Sequence, residues 1–256
     1  SLSGNTTGAN NAALGFNALA SNTTASNNTA VGSSALAANT TGASNVAIGS
    51  LTLDANTTGE FNTAIGKEAM TANTTGDRNV AVGFKALKDM NVTDGSHTFN
   101  TAVGFAAGET TSTGTNNTFM GANAGRANTT AANNTAVGTS ALANNTTGQR
   151  NTAIGQQAFL TNTTGSYNTA LGRSALYANT TADSNTAVGY ESLKLNTTGA
   201  NNVAVGSLAL DANTTASNNT AVGFSSLGAN TTGANNNAFG KNSMRDNTTG
   251  ADNVAM

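Results

Sequence analysis

This sequence predicts an all-β fold, a parallel β-solenoid of about fifteen 17-residue coils with two short strands per coil. Three observations predict it: an Asn that recurs at a fixed step, a Gly four residues after it, and an Asn-Thr-Thr triplet that closes nearly every repeat. The Asn falls at Asn11, Asn28, Asn45, Asn62, Asn79, Asn100, Asn117 and Asn134, then at Asn151, Asn168, Asn185, Asn202, Asn219, Asn236 and Asn253. Every step is 17 except the 21 from Asn79 to Asn100, so a four-residue insertion separates those two coils. A globular fold of unlike elements has no reason to hold such phase, whereas a stack of like turns does. Helical repeats need about 30 residues or more, and the present repeat leaves room only for short strands and bends.

Numbered from that Asn, the repeat reads N-[TV]-A-[VIL]-G-x-x-A-L-x-A-N-T-T-[GA]-x-x. The often β-branched residues around the third position predict one strand, the Ala-Leu pair a second, and the Gly and Asn-Thr-Thr segments the bends between them. The fourth position is never polar and is expected to face the core, at Val31, Ile48, Ile65, Val82, Val137, Ile154, Val188, Val205 and Val222. The ninth position supplies the opposing side, at Leu36, Leu53, Leu87, Leu142, Leu193, Leu210 and Leu227. Strand alternation turns the third position away from the fourth. Yet it is Ala in nearly every coil, as at Ala30, Ala47, Ala64, Ala81, Ala136, Ala153, Ala187, Ala204 and Ala221. Two readings stay open: an outward column kept small by a neighbouring chain, or a roll so narrow that this Ala is itself internal.

One Val and one Leu per coil make a thin core. Asn or Thr ladders between coils and burial against sister chains are the further sources of stability that repetition offers. A homo-oligomer is therefore expected. Residues 1–256 read as a single repeat domain that begins and stops in mid-repeat, as a segment of a longer fibre would.

Charged residues are 9% of the chain and the net charge is −2, which gives no electrostatic reason to expect nucleic acid as a partner. Cysteine is absent, so neither disulfides nor thiolate metal sites hold the fold. No apolar run approaches the roughly 18 residues of a membrane span, so no membrane insertion is expected in this segment. The acidic residues are dispersed over many coils and no nucleophile–base pairing is visible, so the expectation is a protein that is not an enzyme, with no catalytic residues and no cofactor.

The only histidine, His97, lies in the insertion near Asp94. A metal or receptor site there competes with a plain solvated loop, and the ligand spacing is too weak to expect a metal. From Phe84 to Arg126 the repeat is irregular: Gly108 and Gly125 replace the core Leu, and Phe119 replaces the third-position Ala. That zone reads either as a recognition patch or as a register repair. The thirteen Asn-Thr-Thr triplets match a glycosylation sequon, against the alternative of a turn Asn in an amide ladder.

The string SNVAIG at residues 44–49, with NTAVG one coil earlier at residues 28–32, resembles the head repeats of trimeric autotransporter adhesins. It also resembles the NTAxG and NTTG arrays of bacteriophage tail fibres, over essentially the whole chain. The resemblance implies a left-handed β-roll, three chains side by side, an extracellular, cell-surface or virion location, and attachment to a host-surface glycan or protein receptor. The present repeat is longer than the adhesin-head repeat by the added NTTG turn. The function expected is thus a structural and adhesive fibre segment; the alternative is an ice-binding solenoid that uses the Thr columns.

Overall fold

The computed structural model describes residues 1–256 and is all-β: a parallel solenoid with one three-residue strand in nearly every coil, at the second to fourth repeat positions. The chain divides into two compact units, residues 1–132 and 133–256. Unit 1 carries β1 (Ala12–Leu14), β2 (Thr29–Val31), β3 (Val46–Ile48), β4 (Thr63–Ile65), β5 (Val80–Val82), β6 (Thr101–Val103) and β7 (Thr118–Met120). Unit 2 carries β8 (Thr135–Val137), β9 (Thr152–Ile154), β10 (Thr169–Leu171), β11 (Thr186–Val188), β12 (Val203–Val205), β13 (Thr220–Val222), β14 (Asn237–Phe239) and β15 (Val254–Ala255). Within each unit the strands pair in parallel in chain order, and equal repeat positions face each other, as Thr29 with Val46 and Ala30 with Ala47.

The second strand expected in each coil is not formed. From the fifth to the eleventh position the chain runs through consecutive turns, with left-handed backbone at the seventh and ninth positions, as at Ser34 (φ 57°) and Leu36 (φ 54°). These turns still bond to their neighbours: Leu36 N–H donates to Thr52 O at 3.0 Å and Ser34 N–H to Phe16 O at 2.8 Å. Local bonds close them too, from Ala35 N–H to Gly32 O at 3.3 Å and from Asn39 N–H to Leu36 O at 3.3 Å. The fifth-position Gly is required twice over. At Gly32 φ is +132°, and a Cβ there would meet the carbonyl oxygen of Gly49 at 2.4 Å.

On the strand side the core is the reverse of the fourth-position column read from the sequence, and the open question of the third-position Ala is settled inward. The third-position alanines Ala30, Ala47, Ala64, Ala81, Ala136, Ala153, Ala187, Ala204 and Ala221 are fully buried, so they line the interior and no second chain reaches them. The fourth-position residues point outward: Ile48, Ile65, Ile154 and Val205 are exposed, and Val31, Val82, Val137, Val188 and Val222 half-buried. The reason is width. Opposite the strand lie the eighth-position Ala and the ninth-position Leu, with Leu36, Leu53, Leu87, Leu142, Leu193, Leu210 and Leu227 at 0% exposure, and the gap left admits a methyl group. Phe119 tests that statement, because the one aromatic at the third position is accommodated only where Gly108 and Gly125 replace Leu. A Cβ on those glycines would lie 2.7 and 2.3 Å from the Phe119 ring.

Two buried Asn columns complete the interior. At the twelfth position, Asn56 Nδ2 donates to Asn39 Oδ1 of the preceding coil at 2.9 Å and to Gly59 O of its own coil at 3.0 Å. At the first position, Asn45 Nδ2 donates to the same Gly59 O at 2.8 Å, while Asn45 N–H donates to Asn28 Oδ1 at 2.9 Å. These amides bridge coils and saturate buried carbonyls, with Asn219 Nδ2 left without a partner, and that is what makes a half-polar interior tolerable. In the coil that begins at Asn79 the twelfth position is Met90, and in the next it is Thr111, so this column is interrupted there.

Four buried side-chain atoms lack a hydrogen-bond partner, Asp54 Oδ1, Thr111 Oγ1, Asn219 Nδ2 and Ser243 Oγ, and the ionisable one works against the fold. Asp54 Oδ1 has no hydrogen-bond partner, and burial raises the carboxyl above the ordinary aspartate range against the opposing Asp54 and Ala55 backbone N–H groups, with Glu68 adding a smaller push. Because the folded-state value lies above the unfolded one, ionisation costs stability, and the cost vanishes as pH falls from neutral through that raised value. Asp54→Asn is expected to stabilise the protein at pH 7 by about 1 kcal/mol. Urea titrations at pH 7 and pH 4 check it, with the gain shrinking at the lower pH.

Candidate interaction face

The outward side of the strands forms a continuous uncharged surface in each unit. Alternation places the second and fourth positions side by side on it. The second position is Thr or Val in nearly every coil, and the fourth is always Val, Ile, Leu, Met or Phe. Large apolar side chains therefore stand in solvent in register, with Ile48 38%, Met120 44% and Phe239 42% exposed. In ordinary soluble chains a contiguous apolar patch of this kind marks a contact surface.

Aromatic residues border that surface. The sixth position carries Phe16, Phe84, Phe105, Tyr190 and Phe224, and the seventeenth carries Phe61, Phe99 and Tyr167, all exposed. Several are stacked on a cation from the adjacent coil: Arg78 over Phe61 at 5.2 Å, Arg150 over Tyr167 at 5.3 Å and Arg173 over Tyr190 at 5.6 Å. Phe84 and Phe105 stack on each other at 5.4 Å. The cations hold the rings upright without placing charge in the two central columns.

The insertion forms a compact polar cluster at one border. His97 pairs through Nδ1 with Asp77 Oδ2 at 3.1 Å, Arg78 approaches the same oxygen at 3.5 Å and also reaches the His97 ring, and His97 packs edge-on against Phe99 at 5.7 Å. Asp94 is not part of it. Its Oδ1 accepts from Ser96 N–H at 3.0 Å, and the hydrogen bonds of Ser96 hold the Asp94 carboxyl below its usual range. Phe119 lies in the core, fully buried, and is not available as a surface contact. No group of three or more His, Asp or Glu side chains is placed to hold a metal ion, and no helix is long and apolar enough to cross a membrane.

The Asn-Thr-Thr triplets divide their labour. Their Asn is fully buried in the internal coils, as at Asn39, Asn56 and Asn179, which leaves its amide out of reach of glycosylation in the folded chain. The backbone there is not left-handed; that conformation falls on the seventeenth position instead, as at Asn27 (φ 63°). The first Thr is tied between coils, with Thr40 Oγ1 donating to Thr57 O at 3.0 Å, and the second, such as Thr41 or Thr58, faces solvent in single file.

Sequence reasoning missed the strand face because it assigned the apolar column to the inside. The signal that locates it is the pairing of a never-polar fourth position with an Ala confined to the third: only one side of a three-residue strand can be internal, and the smaller residue belongs to the narrower side. Compared with family models, curated proteins and solved structures, the chain matches none, so what places it is its architecture: a parallel β-solenoid of repeating coils about 17 residues long.

Proposed function

We propose that the chain is a structural and adhesive segment of a homo-oligomeric surface fibre of the adhesin-head or tail-fibre type, in which copies pack through their strand faces. The observation that carries this reading is the pair of uncharged columns at the second and fourth positions, with partly exposed apolar side chains at the fourth in every coil. A partner that follows such a face must itself advance by one strand spacing, about 4.8 Å, per contact. A second copy of the same chain does so by construction. With the core built mostly of Ala, Leu and Asn, burial of these columns between copies adds about 1 to 2 kcal/mol for each side chain covered. The seventh and tenth positions vary in charge and size from coil to coil and, where exposed, are left to face the surroundings, where a glycan or protein receptor is met.

Sedimentation tests the proposal. The chain is expected to run as an oligomer, a trimer by the resemblance, and Ile48→Lys with Ile65→Lys is expected to convert it to a monomer with an unchanged far-UV CD spectrum. A dispersed wild-type monomer at micromolar concentration overturns the reading, and thermal hysteresis from that monomer would mark an ice-binding surface in its place.

A further inference from the structure

A face that repeats every coil does not specify its own alignment. If one copy slides by one coil, about 4.8 Å, its Thr and Val columns again meet Val and Ile columns, and only the last coil's share of contact is lost. Coiled coils face the same degeneracy and resolve it with a feature that occurs once. On the assembly reading above, on which this inference rests, we propose that the irregular zone of unit 1 is a register lock between copies of this chain.

The zone has what a lock needs. Around β4, β5 and β6 both borders of the strand face carry aromatic side chains, with Phe61 and Phe99 preceding β4 and β6 and Phe84 and Phe105 following β5 and β6, and no other stretch of unit 1 does so. One border is the stack Phe61–Arg78–Phe99, with Arg78 5.2 Å from one ring and 6.0 Å from the other. The other is the Phe84–Phe105 stack. The insertion seals the first border, since the extra residues bring His97 against Phe99 and place its ring beside Arg78 and Asp77. Elsewhere in unit 1, apart from Phe16 in the first coil, the same border positions are small or polar, such as Asn27, Ser33, Ser44 and Ser50. A copy shifted by one coil would set bulky walls against these small residues and leave gaps where its own walls had met their counterparts.

Area and charge agree that the occupant is a second copy. A strip roughly 15 Å wide advancing about 4.8 Å per coil gives seven coils about 500 Å² per copy, short of the ~800 Å² that each partner of a standard interface buries. Phe61, Phe99 and Phe105 are 50%, 49% and 55% exposed. At about 100 Å² of free surface each, they bring the total close to that requirement. The second and fourth columns carry no charge in any coil, so apposing two copies in register brings no like charges together along them.

The absence of cysteine makes the test direct. Ser33→Cys and Ser50→Cys place single thiols at equivalent positions one coil apart, and oxidation of mixed preparations reports which coils lie abreast. In the otherwise native chain one disulfide combination is expected to dominate, with the combination shifted by one coil below about a tenth of the total. Deletion of residues 93–96 together with Phe61→Ser and Phe99→Asn is expected to raise the shifted combination several-fold, to near parity. Should the deletion impair folding, Phe61→Ser with Phe99→Asn alone, which install residues found at that position in neighbouring coils, is expected to raise it in the same direction. Equal selectivity in native and altered chains overturns the lock. A chain that sediments as a monomer overturns the assembly reading and the lock with it.

Discussion

Asn56→Asp is expected to destabilise the protein by at least about 3 kcal/mol, although it exchanges a single NH2 group for oxygen. The Asn56 amide donates to Asn39 Oδ1 and Gly59 O, and its own oxygen accepts from Asn73 Nδ2 at 3.0 Å. A carboxylate keeps the acceptor role and loses both donor roles, so two buried oxygens are left facing a third with no hydrogen between them. In a chain of this length the melting temperature is expected to fall by roughly 10 °C. Part of the loss should return as pH falls, because burial raises the introduced carboxyl's folded-state pKa above its unfolded value and protonation restores a donor. Asn27→Asp is the control. The seventeenth position is exposed and already carries Asp252 in another coil, so a change under about 0.5 kcal/mol is expected there. Urea denaturation of both variants at pH 7 and pH 4 checks the pair; equal losses would show that the amide column does not bear the stability assigned to it.

Phe119→Ala is expected to cost about 3 to 5 kcal/mol, the range for emptying a buried aromatic site. Phe119 fills the space of two missing leucines, so the loss should depend on Gly108 and Gly125. Either Gly→Leu substitution alone is expected to destabilise, since a Cβ at Gly108 or Gly125 already meets the ring at 2.7 or 2.3 Å. Combined with Phe119→Ala, the two together restore the regular repeat and should recover most of the stability. The left-handed backbone poses no obstacle, because Gly108 (φ 59°) and Gly125 (φ 57°) have the conformation that Leu36 and Leu53 hold in regular coils. A coupling energy near zero in the mutant cycle would mean that the exchanges are unrelated neighbours.

The period, the parallel stacking and the register were legible in the sequence because each is a property of spacing, and spacing survives any misjudgement of which side chain points where. The insertion was legible for the same reason; β5 and β6 pair in the ordinary register, Val80 with Thr101, across it. What could not be read was the polarity of the strand. Hydrophobicity favours Val31 over Ala30 as the buried residue, and the choice is reversed by a dimension, the distance to Leu36 across the coil, that no single repeat records. Phe119 with its two glycines was the one place where the sequence recorded it, as a volume exchange. The turn-rich second half of the coil was read as a strand because a Leu at φ near +50° is rare enough that sequence preference argues against it.

The four inserted residues carry a consequence for length. Thr98 Oγ1 donates to Asn79 Oδ1 at 2.7 Å and Asn100 N–H donates to the same oxygen at 3.0 Å, so the first-position column closes over the interruption, while the side of Gly95 where a Cβ would stand is open. The arc between the twelfth and sixteenth positions is therefore a slack segment in an otherwise indexed chain, where residues are added outward without advancing the stack. A polymer built this way can lengthen by whole coils along one direction and by single residues along another, and the two kinds of growth do not disturb each other.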